Sequence, residues 1–226
     1  MELDYSSVPA FMASFQKFGQ SNMVEAKKLL DTFLAEYNPK VPTGWIELYH
    51  GAPPQNAKNI HANGFELTIG KRSGFMGSTN IVDNQGIFLT DKKEMAHYFG
   101  DNRNNEYGVS HVVFTAHVDP KTITTFEQMS LRVRKLGADI LEQWDGKKYR
   151  NIPQSYQWWL LDKPEFVEAL KEEGFTGVKF RETIAVRRSA NGGTEALTYL
   201  IFDPKDILLI RKAKNEDFYN WMKSRQ

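Results

Sequence analysis

The chain has 226 residues, 41% of them hydrophobic, a formal net charge of +1 and no cysteine. This length gives room for a sizeable buried core, while the lack of cysteine excludes disulfides, thiolate nucleophiles and cysteine-built zinc sites. Near-neutral charge supplies no global footprint for nucleic acid. No apolar run is long enough to span a membrane, and "MELDYSSVPAFMASF" lacks the basic and apolar regions of a signal peptide, so a cytoplasmic protein with no membrane partner is expected.

Residues 8–37 show helical spacing, with Val8, Phe11, Met12, Phe15 and Phe18 followed by Val24, Leu30, Phe33 and Tyr37. Ser21 is the expected cap between two helices. The linker "NPKVPTG" then divides residues 1–40, a helical appendage, from a main domain over 41–226. The pattern changes to strand at "WIELYH", and "PQNAKNIHANGF" reads as a short helix closed by Gly64. A polar loop follows, then the strand "GIFLT" and the helix "DKKEMAHYFG", with Asp91 as its expected cap. "VSHVVFTAHVDP" reads as strand; "TFEQMSLRVRKLGADILEQW" and "PQSYQWWLLDKPEFVEALKEEG" read as helices. "GVKFRETIAVRR", "ALTYLIFDP" and "DILLIRK" are strands before a last helix with Phe218, Trp221 and Met222. Strands and helices do not alternate regularly, so the expected class is α+β.

Three stretches could carry chemistry. The first is His50-Gly51 at a strand end, where a histidine either packs or faces a flat polar ligand for which the glycine leaves space. The second, Gly86–Gly100, brings Phe88 and Thr90 on a strand and Met95, Tyr98 and Phe99 on a helix, where positions three and four apart share a face. Those rings are either core or a stacking platform for a heterocycle. The third is a hairpin whose second strand ends at Asp203-Pro204.

In this order the stretches resemble the ADP-ribosyltransferase superfamily, in its diphtheria-toxin and poly(ADP-ribose)-polymerase branch. The matching pieces are "LYHGAPPQNAKNIHANGF", "GIFLTDKKEMAHYF" and "LTYLIFDPKDI", and "LKEEGFTGVKF" is similar to a segment of phage- and toxin-associated members. The resemblance covers roughly residues 45 to 212. It implies a split, mostly antiparallel sheet with NAD in its cleft and transfer of ADP-ribose to an acceptor, a protein in preference to a nucleic acid. His50 would hold the adenosine-side ribose and the backbone of Gly51 the nicotinamide carboxamide. Tyr98 would stack on the nicotinamide, with Phe88, Thr90 and Phe99 lining the site.

The third position of the family's pattern is where this chain departs. An acidic residue there lies five positions before the Asp of the "D-P" ending, and counting back from Asp203 gives Thr198. Glu195 stands three residues earlier, on the opposite face of a regular strand, and needs a bulge to come round. Thr198, Glu195 and, on the preceding strand, Glu182 all stay open. A threonine at this position favours transfer of a single ADP-ribose, or binding without catalysis. His61, His97, His111 and His117 show no metal-ligand spacing, so no metal is expected. Lys71 to Asn80 could cradle a pyrophosphate and Arg187-Arg188 a phosphate or an acceptor, while "SYQWWLL" reads as core or as an exposed aromatic patch that binds an acceptor.

Overall fold

The computed structural model describes residues 3–38, 40–67, 72–73, 81–82, 85–102, 112–184, 194–211 and 213–225. Of these, residues 55, 72–73, 81–82, 98–102, 182–184 and 194–195 are described by their backbone. The chain divides into two units, Thr43–Leu209 and Met1–Pro42 with Ile210–Gln226.

The larger unit is α+β and grows from two hydrophobic ladders. Strand β1 (Ile46–Ala52) buries Leu48 and Ala52, and β5 (Val112–Val118) buries Phe114, Ala116 and Val118, each with the period of two that puts one face inward. They pair antiparallel along their full lengths, from Ile46 opposite Val118 to Ala52 opposite Val112. A second ladder joins β4 (Ile87–Thr90), β7 (Gly177–Ile184) and β8 (Thr194–Ile201), with β8 antiparallel to both neighbours. Two short strands complete a curled mixed sheet in the order β6-β7-β8-β4-β1-β5-β9. They are β6 (Ile123–Thr124), parallel to β7, and β9 (Leu208–Ile210). Strands β2 (Arg72–Ser73) and β3 (Ile81–Val82) form a separate ribbon.

Both short strands enter through the same turn. In "DPK" at 119–121 and at 203–205 the aspartate accepts a hydrogen bond from the lysine backbone, at 3.0 Å from Lys121 and 2.9 Å from Lys205. Proline pre-sets the backbone for the tight turn that follows.

Helices cover the sheet. Against the β7–β8 half lie α5 (Leu131–Asp145), α6 (Gln154–Leu160) and α7 (Pro164–Glu172), where Val133, Leu141, Leu160, Phe166 and Leu170 meet Val178, Phe180 and Leu200 in one cluster. Ala57 of α3 (Pro54–Asn63) and Phe65 pack with Leu48, Leu89, Phe114, Tyr199 and Ile201 in another. Met95 and Ala96 of α4 (Lys93–Asn102) are also buried.

Four local expectations differ. Residues 125–129 form a turn, and α5 starts at Leu131 because the Ser130 hydroxyl accepts from Val133 N–H at 3.2 Å. The stretch expected as one helix from 153 to 174 breaks between α6 and α7, since Pro164 opens a new helix and disfavours helical backbone just before itself. Asp91 does not cap α4: its carboxylate is used by β8, as described below. Ser21 ends α1 (Val8–Ser21) instead of capping α2 (Met23–Tyr37), for which Asn22 stands at the cap.

The smaller unit is aromatic. It includes α8 (Asn215–Lys223) together with α1 and α2, so it extends beyond the stretch 1–40. Phe218 stacks edge-on to Phe15 with ring centroids 4.8 Å apart and lies 5.1 Å from Phe33, and all three rings are buried. The Asn38 side chain accepts from Arg211 N–H (2.8 Å) and donates to Arg211 C=O (2.6 Å), as a strand neighbour would. Trp221 donates to Glu36 at 2.9 Å, and Arg225 pairs with the same carboxylate. Among the described residues no helix is long and apolar enough to cross a membrane.

Candidate functional site

The two halves of the large sheet meet between β1 and β4, and they meet at one position. Tyr49 lies opposite Thr90 with no further paired residues, whereas β1 pairs with β5 over seven residues and β4 with β8 over four. Past Tyr49 the seam opens. There the His50 Nδ1–H donates to the Phe88 carbonyl at 2.8 Å. A carbonyl only accepts, so this bond places a proton on Nδ1.

A cavity of about 280 Å³ occupies the seam. Tyr49, His50 and Gly51 line it from β1, Phe88 and Thr90 from β4, and Thr198 from β8. Asn56 and Asn59 of α3 stand at its side, and Phe65 presents an edge to the imidazole, 5.1 Å away at 77°. Trp158 of α6 also lines it, stacked on Phe88 at 4.6 Å and 10°. One side of the cavity is thus aromatic, while His50, the asparagines and the threonines are polar, a usual composition for a small-molecule site.

The β4 end of the site is clamped to β8. Asp91 N–H donates to Leu197 C=O at 3.1 Å, and Leu197 N–H donates to Asp91 Oδ1 at 2.9 Å. This pair holds Thr90 opposite Thr198, which is 1% exposed. At the other end of β4 the backbones approach so closely that a Cβ on Gly86 would lie 2.4 Å from the Ile201 carbonyl oxygen. The Tyr49 hydroxyl is committed away from the site: it donates to Glu47 at 2.5 Å, and that bond, then burial, raises it above the ordinary tyrosine range.

Of the residues singled out in the sequence, His50, Gly51, Phe88, Thr90 and Thr198 come together here. The side chains of Tyr98 and Phe99 lie outside the described residues; their backbone belongs to α4, whose Ala96 lines the cavity. The bulge required to bring Glu195 round is absent. The β7–β8 register runs without interruption from Gly177 opposite Ile201 to Ile184 opposite Thr194, with Glu195 opposite Thr183. The side chains of Glu195 and Glu182 are outside the described residues, as are His111, Arg187-Arg188 and most of Lys71 to Asn80. No group of three or more acidic or histidine side chains that could hold a metal occurs among the described residues.

Sequence reasoning missed Trp158 and Phe65. "QWW" looked like core because a helix this short shows no clear period; Trp158 and Trp159 are neighbours on α6, and the fold decides which one reaches the cavity. Phe65 follows Gly64, whose positive φ of 84° ends α3 and turns the chain back. No family model and no curated protein matches the chain.

Proposed function

We propose that this protein is an NAD-dependent mono-ADP-ribosyltransferase, with a split sheet of the ADP-ribosyltransferase type, acting on a protein acceptor in the cytoplasm. The observation that carries this reading is the convergence of His50, Gly51, Phe88, Thr90 and Thr198 on one cavity at the seam of the sheet. Residues far apart in sequence, chosen for their resemblance to a dinucleotide site, meet where β1 and β4 part.

The chemistry of the lining suits NAD. At about 280 Å³ the cavity is near the lower end of small-molecule sites, roughly 300–1,000 Å³, which suits one heterocycle and its sugar. The His50 imidazole would hydrogen-bond the adenosine-side ribose, and the Gly51 backbone offers a donor and an acceptor with no Cβ in the way. Phe88 and Trp158 form a ready-stacked wall for a flat ring. When bound, NAD supplies the ADP-ribose and a nicotinamide that departs neutral with the electron pair of the glycosidic bond. The chain's task is to hold the ribose while positive charge develops on it and to keep an acceptor close to the anomeric carbon. The acceptor's lone pair forms the new bond, and its proton passes to solvent or to a nearby base.

Thr198 supports a second reading. A threonine hydroxyl can hold a ribose but brings no charge to stabilise the cation, so the same cavity could bind NAD or ADP-ribose without transfer. Calorimetry with NAD, nicotinamide release followed by chromatography, and labelled NAD added to a cell lysate separate the outcomes. The transferase reading expects saturable binding, released nicotinamide and a labelled protein band. Binding with neither release nor label selects the binding module; absence of NAD binding overturns the transferase, and absence of ADP-ribose binding as well overturns both.

A further inference from the structure

Helix α6 carries rings into two places. Trp158 stacks on Phe88 in the NAD cavity. Tyr156 and Trp159, three residues apart and so on one face of the helix, meet Trp144 from the last turn of α5. Gly146 shapes this second group. Its positive φ of 75° ends α5, with its N–H donating to Glu142 C=O at 2.8 Å. The chain then turns back, and Tyr149 lies edge-on to Tyr156 with 5.8 Å between centroids. Trp144 is 4.9 Å from Trp159 and edge-on to Tyr156 at 5.6 Å. The Tyr149 hydroxyl donates to Asp145 at 2.5 Å, which fixes the ring.

Two properties separate this group from core. It reaches the surface: Trp144 is 54% exposed, whereas tryptophan is highly buried on average. Cations also gather around it. Between Trp144 and Lys163 stand four lysines and arginines against two aspartates, on a chain whose net charge is only +1. Lys163 Nζ sits 4.0 Å over the Trp159 ring. Lys148 and Arg150 flank Tyr149, are exposed, and form no ion pair among the described residues. The aspartates are engaged or buried: Asp145 accepts from Tyr149 and from Lys147 N–H at 2.9 Å, and Asp162 is 5% exposed. The footprint that the chain-wide charge does not supply is present locally.

We propose that this surface binds single-stranded nucleic acid, with bases stacking on Trp144 and Tyr149 and phosphates meeting Lys148 and Arg150. The combination selects the ligand. An uncharged sugar would use the rings and not the cations, an acidic peptide the cations and not the rings, and a duplex hides the base faces that a stacking ring needs. The surface shares no lining residue with the NAD cavity, and the proposal does not rest on the reading of that cavity.

The test follows the anisotropy of a fluorescein-labelled oligothymidylate of about twelve nucleotides on the full chain. Competitors are an abasic strand of the same length and charge, a duplex, polyglutamate and an uncharged glucan oligomer. Saturable binding of the oligothymidylate is expected, with the abasic strand at least about tenfold weaker. Trp144→Ala should weaken binding about five- to hundredfold, and Trp144→Phe, which keeps a ring, should restore most of it. Lys148→Ala combined with Arg150→Ala should flatten the slope of log affinity against log salt by about 1.4, two phosphate contacts at about 0.7 each. Both of those side chains are exposed, so this variant should melt with the native chain and carries the test if Trp144→Ala fails to fold. No saturable binding, equal binding of the abasic strand or of polyglutamate, preference for the glucan or the duplex, or native affinity in folded Trp144→Ala overturns the proposal. Calorimetry with NAD on the same samples is independent: NAD binding without strand binding overturns this inference alone, and strand binding without NAD binding leaves it standing while the transferase reading falls.

Discussion

At the scale of single residues the site depends on one imidazole and one hydroxyl. His50 commits Nδ1 to the Phe88 carbonyl, and the proposed function gives the same ring a second role toward the ribose. His50→Ala should therefore cost about 1–2 kcal/mol of stability in urea unfolding, the worth of one hydrogen bond and its stranded acceptor, and should also weaken NAD binding in calorimetry. Unchanged NAD affinity in a folded variant would remove His50 from the site. Thr198 is buried, lines the cavity and is held by a register with no bulge, and under the proposed function it takes the third position. Thr198→Val keeps the shape and removes the hydroxyl. It should lower kcat for nicotinamide release by more than Glu195→Gln does, and the opposite ranking would return the role to the carboxylate.

At the scale of elements, close approaches and buried rings set the tolerances. Gly86 leads into β4, where an added methyl would meet the Ile201 carbonyl at 2.4 Å, a backbone atom that cannot swing away. Gly86→Ala should destabilise the large unit by about 1–3 kcal/mol in urea titration, the usual range for overpacking; a cost near zero would show that the β4–β8 pair can separate freely. In the helical unit, burial first and the charge of Asp217 second push the Tyr37 hydroxyl up from 10.0 to about 12. The folded state favours the protonated phenol, so this contribution is fully present below pH 10 and is lost as pH rises from 10 to about 12. The melting temperature of the native chain, measured against Tyr37→Phe, should fall across that window, and a constant difference would refute the assignment.

At the scale of the whole molecule, the chain closes its small unit with residues from both ends. Removing residues 1–42 alone would leave the α8 rings Phe218, Trp221 and Tyr219 without Phe11, Phe15 and Phe33, which they pack against in one cluster. That truncation should aggregate, with apolar surface exposed. Removing residues 1–42 together with 211–226 should leave a domain that melts in one transition, because the two hydrophobic clusters on the sheet draw all their residues from Thr43–Leu209. Calorimetric melting of both truncations distinguishes the outcomes, and a cooperative transition in the first truncation would contradict the argument.

Much of the fold was legible in local sequence. The run "WIELYH" and the partial alternation of "VSHVVFTAHVDP" mark β1 and β5, the helical spacing of Phe11, Phe15 and Phe33 marks α1 and α2, and Gly64 marks the end of α3, because each signal is carried by neighbours within one element; β1 runs on to Ala52, two residues past the expected strand. His50, Gly51, Phe88, Thr90 and Thr198 could be picked from motif order alone, yet nothing local says that five residues from three strands share a cavity. Tertiary structure decided the rest. Whether Asp91 caps a helix or clamps a strand depends on Leu197, more than a hundred residues away. Whether Trp158 or Trp159 faces the cavity depends on how α6 lies on the sheet. Whether Glu195 can replace Thr198 depends on a register set by the whole length of β7. The physical reason is common to all three: a side chain's partner across a sheet or between layers is fixed by pairing and packing over long sequence distances, and local propensity holds no information about that partner.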